Sequence, residues 1–166
     1  TSGVWSGTAV AVEKGGTGLT SAGTNGQILT STGSGTLTWT GGTHTIGETF
    51  GGGIVFYVTT DRLHGLIAET QDQSAFCTWY NAQDIISTSS NHSTAGKLFT
   101  DWRLPTKNEL NLLYSQKSVV GGFANVLYWG STEFDYAGAW VRDFGDGGQY
   151  GFYKYDAVYV RAIRAF

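Results

Sequence analysis

The sequence predicts an α+β fold with a strand-rich, loop-rich end, preceded by a short Gly/Thr-rich β segment. Three observations carry this. The composition changes sharply near Gly42, one well-capped amphipathic helix follows the only proline, and the last third is a series of short aromatic strands between glycine turns. A chain of 166 residues holds one ordinary core plus an appendage. The expected division is residues 1–42 as the appendage and 43–166 as the globular domain.

The first segment is Gly, Thr and Ser with sparse apolar residues: Lys14-Gly15-Gly16-Thr17-Gly18-Leu19-Thr20, then Gly26-Gln27-Ile28-Leu29-Thr30, then Thr36-Leu37-Thr38-Trp39-Thr40. It is too poor in apolar residues to build its own core. Short strands at Gln27 to Thr30 and Thr36 to Thr40 are expected to bury their apolar faces against copies of themselves in an oligomer. A flexible Gly/Ser/Thr tether is the other reading, and Ile28, Leu29, Leu37 and Trp39 argue against it. From Glu13 to Thr40 the stretch resembles the Gly-Gly-Thr-Gly repeats of phage tail-fibre and collar proteins.

The globular part opens with Gly51-Gly52-Gly53-Ile54-Val55-Phe56-Tyr57-Val58, a β-branched and aromatic run bounded by glycines, hence a buried strand. A turn at Thr60-Asp61-Arg62 leads to its hairpin partner, His64 to Glu69. From Gln71 to Gly96, Trp79, Tyr80, Ile85 and Ile86 suggest one helix among loops. Pro105 then fixes a helix entry, Thr106 caps it, and Glu109 completes a capping box for a helix from Lys107 to about Gln116. Leu110, Leu113 and Tyr114 share one face, flanked by Leu112 and Gly121, so this helix lies on a sheet. Strands follow near Leu127 to Trp129, Ala139 to Phe144, Tyr150 to Tyr153 and Tyr159 to Ile163, with Gly145-Asp146-Gly147-Gly148 as a turn.

Composition excludes several functions. The net charge is -3 with only 10 Lys and Arg, too few to neutralise a phosphate backbone, so nucleic acid is not an expected partner. No long apolar run occurs, so membrane insertion is not expected, and Thr1 to Trp5 lacks the character of an export signal. Cys77 stands alone, which rules out an intrachain disulfide and reads as packing rather than a nucleophile. His44, His64 and His92 are scattered, so they are assigned no chemistry and no metal or cofactor is expected. Asp143 and Asp146 near Glu133 read as turn and surface acids rather than a hydrolytic pair.

Asp101-Trp102-Arg103-Leu104-Pro105-Thr106, Tyr128-Trp129-Gly130-Ser131-Thr132-Glu133, Ala139-Trp140 and Val160-Arg161-Ala162-Ile163-Arg164-Ala165-Phe166 occur in this order. Together they resemble the Lcl C-terminal-type domain, a C-type-lectin-like family shared by bacterial surface proteins and the variable proteins of diversity-generating retroelements, including the phage major tropism determinant class. The resemblance spans about Ile46 to Phe166 and departs at Gly130, where the family usually has Ser. It implies a C-type-lectin-like fold, which follows the short Gly/Thr-rich β segment read above as serving oligomerisation. Trp102, Trp129 and Trp140 then read as core, and Arg103, Arg161, Arg164 and Glu133 as partly buried pairs that pin loops.

Between these motifs the Tyr, Asp and Gly content is like that of an antibody paratope. In the retroelement relatives this region holds the variable positions. Carried over, Phe134, Tyr136, Tyr150, Phe152, Tyr153, Tyr155, Asp156 and Tyr159 become candidate contact residues. Period-two alternation turns some of them inward, Phe152 and Tyr159 first. Formylglycine-generating enzymes share the architecture but need two active-site cysteines, so no catalysis is expected, and the calcium-lectin motifs are absent, so sugar binding through calcium is not expected. The implied function is a receptor-binding or adhesion protein, a homotrimer at a phage fibre tip, binding a host-surface protein or glycan from the virion or a cell surface. A structural trimeric fibre cap, or a bacterial surface protein without diversified binding, is the alternative.

Overall fold

A computed structural model of the protein describes residues 27–31 and 37–166, and the repeat at Lys14 to Thr20 lies outside the described residues. The chain divides between Thr43 and His44. In the first unit, β1 (Gln27–Ser31) and β2 (Leu37–Gly41) form an antiparallel hairpin with Leu29 opposite Trp39. These two strands pair with each other within the chain.

In the second unit, mixed helix and sheet follow the α+β expectation. The first sheet contains β3 (Thr49–Phe50), β4 (Gly53–Val58), β5 (Gly65–Ala68) and β11 (Ile163–Ala165), in the order β11-β5-β4-β3. The β4–β5 hairpin forms as its two apolar runs dictate, with Val55 opposite Ile67. Its turn is closed by Thr59 and Asp61 side chains. The second sheet contains β6 (Ser74–Cys77), β7 (Leu127–Glu133), β8 (Gly138–Asp143), β9 (Gln149–Tyr153) and β10 (Val158–Val160), in the order β6-β10-β7-β8-β9. All neighbours are antiparallel except β10 and β7, which meet in parallel at Tyr159 and Tyr128.

Three α-helices of this unit accompany the sheets: α1 (Trp79–Ser87), α2 (Lys107–Ser115) and α3 (Lys117–Val120). The capping box of α2 is formed, with Thr106 accepting from Glu109 N–H at 3.3 Å and Glu109 accepting from Thr106 N–H at 2.8 Å. Leu110 and Leu113 are buried, whereas Leu112 is exposed.

Three expectations about strands and ion pairs are corrected. The region after Gln71 contains a strand, β6, besides its helix. The single strand foreseen from Tyr159 to Ile163 is two strands in two sheets, interrupted at Arg161 and Ala162. The reason is Arg161, which is fully buried and bonds to Asp72 at 2.7 Å and to the carbonyls of Glu69, Gly121 and Gly122. Serving those partners turns the chain from one sheet into the other. Thirdly, Glu133 joins none of the arginines. Arg103 pairs with Glu109, Arg161 with Asp72 and Arg164 with Asp101, while Glu133 pairs with Lys154.

The core has two adjoining parts. One gathers Val55, Ile67, Trp102, Trp129, Val141 and Val160 with Ile86 of α1, and the other gathers Phe56, Leu110, Leu113, Tyr128, Phe144 and Ile163. The two buried tryptophans of this unit satisfy their one N–H each, Trp129 on Cys77 O and Trp102 on Gly96 O, both at 2.8 Å. Trp140 departs from the expected core role. It is half-buried beneath Lys107 Nζ, 3.1 Å above its ring centre. Cys77 is buried, burial pushes its thiol up, and its role is packing. His92 is also structural, with Nδ1 3.0 Å from buried Glu69 and Nε2 2.6 Å from Ile86 O. Gly130 is buried, and a Cβ there would come within 3.0 Å of Leu110 and 3.1 Å of Trp140 O. Glycine is therefore matched to the packing of this chain.

Two tests follow from the packing. Trp129→Ala removes the largest enclosed side chain and is expected to cost about 3–5 kcal/mol, lowering the melting temperature by more than about 10 °C in a thermal melt. For Glu109, burial alone raises the carboxyl pKa, but Arg103 and the Thr106 donors together outweigh it and hold it below its ordinary value of 4.5. Arg164 does the same for Asp101, whose ordinary value is 3.8. Their stabilisation is complete above the unfolded carboxyl range and is lost as the pH falls through the lower folded values. Melting temperature should therefore decline on acidification, and Glu109→Gln should show a lower value at neutral pH and a shallower acid decline.

Candidate functional site

Two turns meet at one end of the second sheet. In the β7–β8 turn, Phe134 and Asp135 N–H groups donate to Gly138 O at 2.9 and 3.2 Å. Asp135 Oδ1 accepts from Ala137 and Gly138 N–H at 2.8 and 2.7 Å, the local side-chain bonding that makes aspartate a turn former. In the β9–β10 turn, Asp156 N–H closes onto Tyr153 O at 2.9 Å.

Lys154 joins the turns. It is only 3% exposed, and its Nζ donates to Glu133 Oε2 at 2.6 Å and to the carbonyls of Asp135 and Tyr136, each at 3.3 Å. Its N–H donates to Ala137 O at 2.9 Å, and its own carbonyl accepts from Trp79 N–H at 3.0 Å. Nζ also lies 4.8 Å from the centre of the Trp79 ring. A buried ammonium is costly unless its donors are satisfied, and here they are, so the charge fastens two turns and the start of α1 together.

Around this anchor the side chains face water. Tyr136 is 92% exposed, Tyr155 80% and Tyr153 70%, and Phe134 and Asp156 are exposed beside them. Phe134 stands edge-on to Trp140, with ring centres 5.0 Å apart, and covers Gly151 so closely that a Cβ there would come within 2.6 Å of its ring. Phe134, Asp135, Gly138, Gly151, Phe152 and Tyr153 line a cleft of about 380 Å³.

The structure therefore brings together six of the eight sequence candidates: Phe134, Tyr136, Tyr153, Tyr155 and Asp156 exposed, and Phe152 half-buried in the wall of the cleft. Tyr150 is exposed but sits at the opposite end of β9, its hydroxyl 3.5 Å from Asp146. Phe152 is half-buried, 6.2 Å edge-on from Trp129, and Tyr159 is half-buried between Tyr128 and Phe76 at 5.5 and 5.9 Å. These two help line a second cleft of about 320 Å³ with Phe76, Leu127 and Val158. Asp143 and Asp146 accept from Gly145 and Gly148 N–H at 2.6 and 2.7 Å, the work of turn residues.

Sequence reasoning missed Tyr80, which meets Tyr155 at 5.2 Å and extends the exposed surface onto α1. It also missed Lys154 itself. The available signal was the lone cation inside an aromatic strand-and-turn run, where a solvated lysine had no need to be.

Among the described residues, no group of three or more His, Cys, Asp and Glu is arranged to hold a metal ion, and no helix is long and apolar enough to cross a membrane. The anchor itself is testable. Lys154→Met keeps the length of the side chain and removes its charge, leaving Glu133 free to face water. Amide exchange at Ala137 and Asp156 should speed up by at least about tenfold, while the amides of β4 and β5 keep their protection.

No curated protein matches the chain. The Lcl C-terminal domain family matches residues 57–164, more than half of the 166. The matched span runs from β4 into β11 and includes both turns, the Lys154 anchor and the exposed aromatics. The chain belongs to the Lcl C-terminal domain family.

Proposed function

We propose that this is a non-catalytic receptor-binding or adhesion protein, with a C-type-lectin-like fold that displays a fixed aromatic surface. One observation carries the reading: Phe134, Tyr136, Tyr153 and Tyr155 stand in water around a buried, fully bonded lysine. Leaving large rings exposed on one rigid end of a domain offers contact area at small entropic cost, the economy of antibody paratopes. A purely structural cap has no use for these rings.

The partner class is a host-surface protein or glycan. The hairpin of β1 and β2 is the part assigned to homotrimer formation, which multiplies weak contacts when three surfaces engage at once. A phage tail-fibre tip on a virion, or an extracellular cell surface, is the setting in which such a protein works. Diversification by a retroelement accords with the exposure of Tyr136, Tyr153 and Tyr155, because exchanges at exposed positions leave a core nearly untouched.

The test is the triple substitution Tyr136→Ser, Tyr153→Ser, Tyr155→Ser. Its melting temperature should stay within a few degrees of the parent, while binding on an array of surface proteins and glycans should fall by at least about a hundredfold, as expected when central aromatic anchors go. Tyr150→Ser, at the far end of β9, should leave binding intact. Undiminished binding by the triple variant would overturn the proposal.

A further inference from the structure

We propose that the cleft beside Phe134 receives an arginine side chain of a protein partner. This rests on the recognition reading above and names the chemistry of that surface. Phe134, Phe152 and Tyr153 give the cleft aromatic walls, and Asp135 places a carboxylate among them. Asp135 Oδ1 is held by two backbone N–H groups. Oδ2 has no hydrogen-bond partner among the described residues.

Two lysines of this end of the sheet have partners other than Oδ2. Lys154 is buried with Nζ bonded to Glu133 and to two carbonyls, and Lys107 Nζ lies on the Trp140 ring. Asp156 adds a second exposed acid on the adjoining turn. The surface is thus electron-rich in its rings and negative in its ions, and no side chain of its own neutralises Oδ2. A guanidinium satisfies both features, because its flat face stacks on a ring while its edge donates to a carboxylate. An anionic glycan or a lipid phosphate meets repulsion here. A neutral sugar needs donors as well as acceptors, and among the side chains lining the cleft only the Tyr153 hydroxyl can donate.

The experiment is an NMR titration of the full chain with Nα-acetyl-arginine amide and, in parallel, its uncharged near-isostere Nα-acetyl-citrulline amide. The arginine probe should shift the amides of Phe134 to Gly138 and Gly151 to Tyr153 and should bind at least about fivefold more tightly than the citrulline probe. Asp135→Asn keeps an oxygen for the Ala137 and Gly138 N–H groups, so the turn persists, and it should erase that preference. Should this variant loosen the turn, raising the salt concentration on the unaltered chain reads the same charge, and the preference should shrink. Equal shifts by both probes at these amides would overturn the arginine assignment and leave the aromatic recognition surface standing. Arginine shifts absent from these amides would overturn the cleft as its site, a result distinct from failure of the tyrosine triple variant on the array.

Discussion

The buried guanidinium of Arg161 is the constraint on which the second unit depends. It sits where the chain crosses from the second sheet to the first, reaching Asp72 after β5, the carbonyls of Gly121 and Gly122 after α3, and the ring of Phe123 at 4.0 Å. Removing water from an ion is expensive, and only a complete set of partners offsets that cost. The partners come from segments far apart in sequence. Bringing them together fixes where β10 ends, where β11 begins and how the loop after α3 runs.

Lys154 repeats the same physics on a smaller scale at the end of the molecule. Between them, the two cations organise stretches that have little regular hydrogen bonding of their own. In a chain without disulfides, enclosed ions with satisfied donors take the part that covalent cross-links take in other small loop-rich domains. The two sheets and α2 supply the platform, and the ions decide how the connecting loops lie on it.

What was legible in the sequence was local. The β4–β5 hairpin and the α2 capping box each announce themselves within one short stretch of chain, because their stabilising bonds are made between segments close in sequence. What was not legible depends on remote partners. The break at Arg161 follows from Asp72, 89 positions away. Trp140 and Trp129 read alike in sequence, yet register places Trp129 opposite Val141, so the neighbouring Trp140 points to the other face. The same alternation separates half-buried Phe152 from exposed Tyr153 within the candidate set. Short β6, whose strand character comes from pairing with β10, carried no period of its own.

The Lys154 ammonium reaches two of its three oxygens on the main chain, at Asp135 and Tyr136, and its backbone bonds Ala137 and Trp79 in the same manner. Every amino acid carries the carbonyl, and every one but proline the N–H. Glu133, Asp135 and Trp79 serve the fastening with their side chains, but Tyr136 serves it through its carbonyl alone, so its side chain can be exchanged while its peptide remains clamped. Shape and lettering are governed by separate bonds, so one frame can carry many vocabularies without being rebuilt for each.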